Sequence, residues 1–335
     1  MRFPERLKKG DVIALAAFSF PVKENDIELC ARWIEQEGYQ VKISRCLAEE
    51  KNIHGYLAGD ERSRAQDLQE LFEDRQVKGI FCIRGGYGSA QLMKYLDFER
   101  IKENPKVFVG YSDVTNLHIV LNQFCDLVTF HGPMIYNNFL KKEDVYTKDS
   151  LYQAIEMGEK MEFQNPNGEK YKVIQEGEAQ GIITGGNMTV LSRGIGTFFQ
   201  VDTKDKILFL EEVDETIPSI DMMITQMEYA GLFREVKGIL FGSFKGCSNE
   251  RYDSSYHIDE FLRDRMKRYR IPMMSHIASG HETPMGTIPM GAKCRMDTEK
   301  NRILFSRSQE KQTTVRSSLK SRKLSAFFEN ITSFE

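Results

Sequence analysis

The chain has 335 residues, with 46 Lys plus Arg against 49 Asp plus Glu, so its formal net charge is −3. This near balance argues against a general nucleic-acid binder, because such proteins usually carry a basic excess. No apolar run approaches the roughly 20 residues that span a bilayer, which argues against an integral membrane protein. The length suits two domains of ordinary size.

A basic amino terminus precedes an apolar stretch from Val12 to Phe20. Gly10 and Asp11 separate the two, and charged residues follow in place of a small-x-small cleavage site. The stretch therefore predicts a buried first strand rather than a signal peptide. The six cysteines are scattered and form no C-x-x-C pair, which predicts reduced thiols in a cytoplasmic protein.

Short apolar runs alternate with helical patterns over the first 135 residues. The predicted elements are, in chain order, a strand at 12–17, a helix at 26–37, a strand at 41–44, a helix at 62–72, and strands at 79–83, 107–110 and 127–130. This alternation predicts a parallel sheet covered by helices on both faces, an α/β fold. Ligands of such sheets lie beyond the carboxyl ends of the strands, so the residues after 83 and 110 are the first candidates.

The rest of the chain divides into three parts. Residues 137–176 are polar and alternate poorly, which predicts a connector between a first domain, 1–136, and a second domain, 177–305. The second domain has predicted helices at 187–195, 219–230 and 258–269 and strands at 206–210 and 238–241. Residues 306–335 are predicted to form a polar tail with a short helix, one face of which carries Leu324, Phe327, Phe328 and Ile331.

A candidate nucleophile follows the predicted strand 107–110. Ser112 comes two residues after Gly110, and helix-forming residues follow at once. A serine on such a sharp turn has its hydroxyl lifted out of the sheet beside backbone N–H groups that can stabilise an oxyanion. The second glycine of the G-x-S-x-G pattern is missing. A simpler role for Ser112 or Asp113 as a helix N-cap therefore stays open.

The strand 79–83 leads into the sequence R-G-G-Y-G-S at 84–89. Its glycines allow a tight turn and close approach of the backbone to a ligand. The spacing matches neither the dinucleotide pattern nor the P-loop. We therefore expect this turn to supply a second oxyanion donor at the same edge of the sheet.

A serine nucleophile requires a base, which in turn requires an orienting acid. His118 lies on the predicted helix after Ser112 and cannot easily fold back, and His54 and His257 lie in polar stretches. His131 ends a strand near the same sheet edge, and His281 lies in a loop rich in Gly and Pro. The residues alone leave both of these open.

The candidate acids follow the apolar run 207–210. Strand alternation places Glu211 and Glu212 on opposite faces, so only one of them can face a given histidine. A solvated acidic strand end is the simpler alternative. No metal-ligand spacing is present, so we expect no metal and no cofactor.

Seven segments occur in the order found in the L,D-carboxypeptidase family of serine peptidases, which also contains the microcin C self-immunity peptidases. They are G-D-V-I at 10–13, R-G-G-Y-G-S at 84–89, N-P-K-V-F-V-G-Y-S-D-V-T at 104–115, T-F-H-G-P-M at 129–134, G-G-N at 185–187, L-E-E-V-D-E at 210–215 and H-x-x-P-x-x-T-x-P-x-G at 281–291. The chain resembles this family over nearly 300 residues.

The resemblance implies Ser112 as nucleophile, Glu211 as acid and His281 as base. It also implies an oxyanion hole made by the N–H groups of Asp113 and Gly86. The implied fold is an N-terminal domain resembling glutamine amidotransferases or flavodoxin and a C-terminal α/β domain of the swivelling β/β/α type. The active site is then expected in the cleft between the two domains.

The implied activity is removal of the terminal D-alanine from a murein tetrapeptide, a cytoplasmic step of peptidoglycan recycling. A carboxypeptidase also needs a cation for the terminal carboxylate, and Arg84 is the candidate, with packing of the turn as the alternative role. Gly85 and His131 are candidate further substrate contacts. The resemblance also implies a homodimer, and we expect neither nucleic acid nor membrane as a partner.

Two other functions remain open. Met285 resembles the microcin-immunity branch, whereas the Gly280-His281 pair and L-E-E-V-D-E resemble the carboxypeptidases. The immunity peptidases are expected to stack a nucleotide base on a tryptophan, and Trp33 lies far from the motif loops in sequence. The carboxypeptidase is therefore favoured over a peptidase acting on peptidyl-nucleotides. A two-domain protein that binds a ligand in the same cleft without turnover is the non-enzymatic alternative.

Overall fold

A computed structural model describes residues 1–140 and 144–307 of the chain. The predicted tail helix with Leu324, Phe327, Phe328 and Ile331 lies outside these residues. Within the described part of the chain, no helix combines the length and the apolar character needed to cross a bilayer.

The structure contains fourteen strands among the described residues. They are β1 (Val12–Ala16), β2 (Gln40–Ile43), β3 (Val77–Cys82), β4 (Val107–Gly110), β5 (Thr129–His131), β6 (Lys160–Phe163), β7 (Lys172–Gln175), β8 (Glu178–Asn187), β9 (Lys206–Val213), β10 (Gly238–Lys245), β11 (Met273–Ser275), β12 (Ile288–Met290), β13 (Lys293–Asp297) and β14 (Arg302–Ser306).

Ten α-helices cover the sheets within the described residues. They are α1 (Glu24–Gln36), α2 (Arg45–Ala48), α3 (Glu61–Glu73), α4 (Phe98–Glu103), α5 (Thr115–Gln123), α6 (Ile135–Asn138), α7 (Val145–Ile155), α8 (Met188–Arg193), α9 (Ile217–Tyr229) and α10 (Ile258–Met266). Short 3₁₀ helices occur at Ser89–Tyr95, Ser112–Val114 and Pro166–Gly168.

The first sheet has the strand order β12-β5-β4-β3-β1-β2. Strands β1 to β5 pair in parallel, as the alternation of strands and helices predicts. All four residues of β4 are buried, which fits its unbroken apolar sequence. The carboxyl ends of β1, β3 and β4, three adjacent strands, therefore meet at one edge of the sheet, where the candidate site residues begin.

The sixth strand of this sheet comes from the far end of the chain. β12 pairs antiparallel with β5, and Ile288 lies opposite His131. Residues 288–290 thus extend the first sheet, although the sequence predicted 177–305 as a separate second domain. Pro289 lacks an N–H donor, and an edge position is where a sheet tolerates it. The loop that carries His281 directly precedes this strand.

The second sheet has the strand order β6-β14-β13-β8-β9-β10-β11-β7. Its centre, β8 to β11, is parallel, and its flanking strands are antiparallel. Segment 137–176, predicted as a connector, instead contains α7 and both edge strands, β6 and β7. β7, K-V-I-Q, does not alternate between polar and apolar residues, and β6, K-M-E-F, alternates over only four residues, so neither edge strand stands out in a polar segment.

The two sheets pack against each other. One buried cluster runs from Leu15 and Ile83 of the first sheet region to Ile207 and Phe209 of the second. A hydrogen bond also crosses the contact, because the Asn187 N–H at the end of β8 donates to Thr115 Oγ1 at 3.2 Å. Thr115 is fully buried.

We predict that Thr115→Val destabilises the protein by about 1–3 kcal/mol, because the substitution keeps the volume but leaves the buried Asn187 N–H without an acceptor. Urea unfolding followed by circular dichroism measures the change. Thr115→Ser keeps the hydroxyl and is the matched control. Equal unfolding midpoints for the two variants would contradict this role of the hydrogen bond.

Candidate active site

Ser112 lies on a strained turn between β4 and α5. Its φ is +65°, a left-handed conformation that serine rarely adopts. Gly85 of the R-G-G-Y-G-S segment packs directly against this turn. A Cβ added to Gly85 would lie 2.9 Å from Ser112 Cβ and 3.1 Å from Ser112 Oγ. Only glycine at position 85 lets the two strand ends approach this closely. The sequence predicted a tight turn here, but for the approach of a ligand and not of Ser112.

Three side chains form a hydrogen-bonded chain at the contact between the two sheets. His281 Nε2 lies 2.9 Å from Ser112 Oγ, and His281 Nδ1 lies 2.7 Å from Glu211 Oε2. The His281 side chain is 15% exposed and the Glu211 side chain is completely buried. The imidazole therefore has a buried carboxylate on one nitrogen and a serine hydroxyl on the other, the arrangement of a nucleophile, base and acid.

The structure distinguishes the two adjacent glutamates. Glu211 faces His281 from β9, whereas Glu212 points to the opposite face and accepts hydrogen bonds from Asn187 Nδ2 at 2.9 Å and the Thr189 N–H at 2.7 Å. This agrees with the expected alternation of the strand. Burial raises the pKa of Glu212, and its hydrogen bonds oppose that effect.

The loop before His281 must pass close to the acid. A Cβ added to Gly280 would lie 2.7 Å from Glu211 Oε2 and 2.5 Å from Ser243 Oγ, and the φ of Gly280 is +129°. Any larger residue would push the carboxylate away from the imidazole. Glycine here allows His281 to be both close to Glu211 and aimed at Ser112.

Opposing effects set the pKa of His281. Burial acts to lower it, but the charge of Glu211 and the hydrogen bond to Glu211 outweigh burial, and the pKa lies above its ordinary value. Tyr111 packs edge-on against the imidazole, with ring centroids 4.9 Å apart. Tyr111 is not among the site residues predicted from the sequence, although its place directly before the nucleophile is a signal that it lies at the site.

The predicted oxyanion donors belong to the two turns that meet at Ser112. Asp113 follows it in the 3₁₀ turn and is buried. Gly86 follows Gly85 in the adjacent turn, where its φ of +128° and the Phe20 ring leave no room for a side chain. Both backbone N–H groups thus belong to strand ends that meet at the nucleophile.

Arg84 lies at the same edge of the first sheet. Its guanidinium carbon is 5.4 Å from the Phe20 ring centroid and 5.2 Å from that of Tyr136. Its Nη1 donates to the Pro21 carbonyl at 3.4 Å. In the described part of the chain, no carboxylate forms an ion pair with it. The two aromatic rings therefore orient a cation whose charge no acid among the described residues neutralises.

The prediction that His131 contacts substrate is not supported by its position. Its side chain is completely buried beneath Tyr111, with ring centroids 6.0 Å apart, and packs on Phe209 at 5.2 Å. Burial holds its pKa well below the ordinary value, with smaller effects of His118 and His281. The ring packs between Tyr111 and Phe209 and has no exposed surface to offer a ligand.

Three other histidines lie outside the hydrogen-bonded chain of Glu211, His281 and Ser112. His118 is buried and hydrogen bonds to Thr129 Oγ1 and the Gly110 carbonyl, and burial lowers its pKa to about 4. His54 and His257 are exposed, as their polar surroundings predicted. Across residues 1–140 and 144–307, no group of three or more His, Cys, Asp or Glu side chains is arranged to hold a metal ion.

Comparison with known proteins identifies the family. Residues 13–132 match the LD-carboxypeptidase N-terminal domain and residues 180–296 match the LD-carboxypeptidase C-terminal domain. The chain is 35% identical over 307 residues to a probable murein peptide carboxypeptidase of Bacillus subtilis (strain 168), covering 90% of this chain and 93% of the relative.

Two solved structures share the fold. The MccFlike protein from Bacillus anthracis str. Ames superposes with a TM-score of 0.80 at 30% identity, covering 92% of this chain and 100% of the other. The muramoyltetrapeptide carboxypeptidase from Oxalobacter formigenes superposes with a TM-score of 0.76 at 24% identity, covering 88% and 97%. The two matched domains and the extent of this similarity show that the chain belongs to the LD-carboxypeptidase family of peptidases.

Proposed function

We propose that the protein is a serine carboxypeptidase that hydrolyses the L,D-amide bond of murein tetrapeptides and releases the terminal D-alanine. The observation that carries this proposal is the hydrogen-bonded chain Glu211–His281–Ser112, with the serine on a strained turn beside backbone donors. Family membership supplies the substrate class.

In the first half of the reaction, Ser112 Oγ attacks the scissile carbonyl carbon and His281 Nε2 takes the hydroxyl proton. Glu211 keeps the imidazole oriented and stabilises its protonated form. The N–H groups of Asp113 and Gly86 donate to the oxyanion that forms on the carbonyl oxygen. The tetrahedral intermediate then collapses, and His281 gives its proton to the nitrogen of the leaving D-alanine.

In the second half, water replaces the leaving group. His281 removes a proton from a water molecule while the water oxygen attacks the ester carbonyl carbon of the acyl-enzyme. The same donors stabilise the second oxyanion. Collapse returns the proton to Ser112 Oγ and releases the shortened peptide with a new carboxylate. Each half transfers one proton through the same ring nitrogen, so no further acid or base is required.

The position of Arg84 supports a role in binding the terminal carboxylate. Its guanidinium is oriented by Phe20 and Tyr136 at the edge that also carries Gly85 and Ser112. A planar guanidinium can donate two parallel hydrogen bonds to a carboxylate. Such a contact restricts the enzyme to the terminal residue of a peptide, which is what a carboxypeptidase requires.

We further infer that the enzyme acts in the cytoplasm, where murein peptides are recycled, and that it forms a homodimer. Both inferences rest on the resemblance to the family. Sedimentation velocity of the purified protein tests the homodimer, and a single species at monomer mass would contradict it.

A peptidase acting on peptidyl-nucleotides is the second candidate, favoured by the likeness of Met285 to the microcin-immunity branch. Met285 is completely buried, so it packs in the core and does not reach a ligand. Trp33 stacks on Phe139 with ring centroids 4.3 Å apart and is almost fully buried. Neither residue is positioned to bind a nucleobase, which favours the murein peptide.

We predict that the purified protein releases free D-alanine from a murein tetrapeptide and that Ser112→Ala lowers kcat by at least about 10⁴-fold. Mass spectrometry of the products measures the cleavage, and a peptidyl-nucleotide offered in parallel tests the second candidate. A fluorophosphonate probe is expected to label the wild type but not Ser112→Ala. An unlabelled wild type would instead favour a ligand-binding protein without turnover.

We predict that Glu211→Gln lowers the pKa of His281, because the carboxylate charge that offsets burial is removed. The wild-type imidazole should titrate above the ordinary value of about 6.5, and the variant should titrate below it. NMR of ¹⁵N-labelled histidine measures both values. Glu212→Gln is the matched control and is expected to lower the pKa less, because Glu212 points away. Equal shifts would argue against a specific Glu211–His281 pair.

We predict that Arg84→Gln raises KM for the tetrapeptide tenfold to a hundredfold, since hydrogen bonds to charged groups contribute about 1.5–3 kcal/mol. A tetrapeptide ending in D-alanine amide lacks the carboxylate and should be cleaved equally by both proteins. Arg62→Gln is the control, because Arg62 also stacks on a ring, that of Tyr95, but at the surface. An unchanged KM in Arg84→Gln would contradict the proposed role of Arg84 in binding the terminal carboxylate.

A further inference from the structure

A buried carboxylate ties together three loops around the nucleophile. Asp113 Oδ2 accepts hydrogen bonds from Ser19 Oγ at 2.6 Å and from the Ser89 N–H at 2.8 Å. Ser19 follows β1, Ser89 ends the turn after β3, and Asp113 follows the nucleophile after β4. One side chain therefore links the carboxyl ends of three adjacent strands.

The backbone of Asp113 strengthens the same connection. Its carbonyl accepts from Ser89 Oγ at 2.7 Å, and Asn116 Nδ2 donates to Ser89 Oγ at 3.1 Å. Asp113 and Ser89 are thus joined by two hydrogen bonds, one to the side chain and one to the main chain. Ser89 is completely buried and Asp113 is 5% exposed, so water cannot easily replace these bonds.

A buried guanidinium, that of Arg64, binds the loops after β1 and β3. Arg64 is fully buried in α3 and donates from Nη1 to the Phe18 carbonyl at 2.5 Å and from Nη2 to Gln91 Oε1 at 2.6 Å. A Cβ added to Gly88 would lie 2.7 Å from Arg64 Nη1. Phe18 and Gly88 directly precede Ser19 and Ser89, so Arg64 fixes the neighbours of both donors to Asp113.

This network connects the two turns that carry the predicted oxyanion donors. One donor, the Asp113 N–H, belongs to the same residue as the carboxylate. The other, the Gly86 N–H, lies three residues before Ser89, whose N–H the carboxylate binds. A turn with glycines at positions 85, 86 and 88 has much backbone freedom of its own, and the carboxylate removes it. Preorganised donors are what make an oxyanion hole effective.

We propose that the Asp113 carboxylate is a positioning residue that holds the Gly86 turn at the correct distance from the Asp113 N–H. This inference rests on the proposed serine mechanism and adds to it a second role for a residue already assigned through its backbone. The carboxylate does not touch the substrate. Its effect is transmitted through Ser19 and Ser89 to the turn.

The test compares Asp113→Ala with Asp113→Asn and with a control at Asp67. Asp67 is a buried carboxylate of α3 that accepts from the Cys46 N–H at 2.8 Å, beside β2 and three strands away from β4. Asp113→Ala should lower kcat by about a hundredfold with KM changed less than twofold, since losing one oxyanion donor costs about 10²- to 10³-fold. Asp67→Ala should lower the unfolding midpoint but leave kcat unchanged.

Asp113→Asn separates positioning from charge. Its amide oxygen can occupy the place of Oδ2 and accept from both Ser19 and Ser89, so kcat should stay within about tenfold of wild type. If Asp113→Ala does not fold, the double variant Ser19→Ala/Ser89→Ala replaces it, with an expected loss in kcat of about tenfold at constant KM. Unchanged kcat in the folded Asp113→Ala or in the double variant would overturn the proposal.

The rate of fluorophosphonate labelling of Ser112 gives a readout that does not depend on the substrate. If the wild type is labelled but cleaves no tetrapeptide, the proposed substrate is wrong, and labelling still tests the positioning role. Slower labelling of Asp113→Ala, with Asp113→Asn close to wild type, supports that role. Equal labelling rates in all three proteins, each shown to be folded by circular dichroism, would overturn it.

Discussion

One imidazole connects the two halves of the molecule. His281 lies 2.7 Å from Glu211 of the second sheet and 2.9 Å from Ser112 at the end of a strand of the first. Both contacts have the length of ordinary hydrogen bonds, so a small change in the spacing of the sheets breaks one of them. The shared buried cluster, β12 in the first sheet and the bond between Thr115 and Asn187 all maintain that spacing.

The chemistry of this imidazole follows from a balance of burial and charge. A buried histidine alone becomes a weaker base, as His118 and His131 show. His281 differs because the carboxylate of Glu211 lies against its Nδ1, and Gly280 leaves room for that approach. The same protein thus contains three neighbouring histidines with different protonation behaviour. Of the three, only His281 has a carboxylate hydrogen-bonded to its ring, and it is also less deeply buried than His118 and His131.

The nucleophile side depends on a different kind of constraint. Ser112 adopts a strained conformation, and surrounding structure must hold it there. Glycines in the adjacent turn permit close packing but do not supply rigidity. Two buried charges, Asp113 and Arg64, connect the loops after β1, β3 and β4 and supply it instead. Such buried charged groups cost desolvation free energy, and their hydrogen bonds offset that cost.

The sequence by itself determined the local features of this protein. Apolar runs predict the five parallel strands of the first sheet. A strand followed at once by a helix predicts the turn at Ser112, and strand alternation predicts that Glu211 and Glu212 face opposite sides. Each depends on residues adjacent in the chain. Resemblance to the family then selected His281, which spacing alone had left open beside His131.

Only the tertiary structure decided which distant residues meet. Packing between segments far apart in sequence places β12 in the first sheet and β6 and β7 at the edges of the second. The same kind of packing buries His131 in the core. Edge strands bury one side or less, so their composition resembles that of loops. The network around Asp113 could not be predicted either. Ser89 and Ser19 lie 24 and 94 residues before Asp113, and no local sequence pattern indicates a hydrogen bond over such a separation.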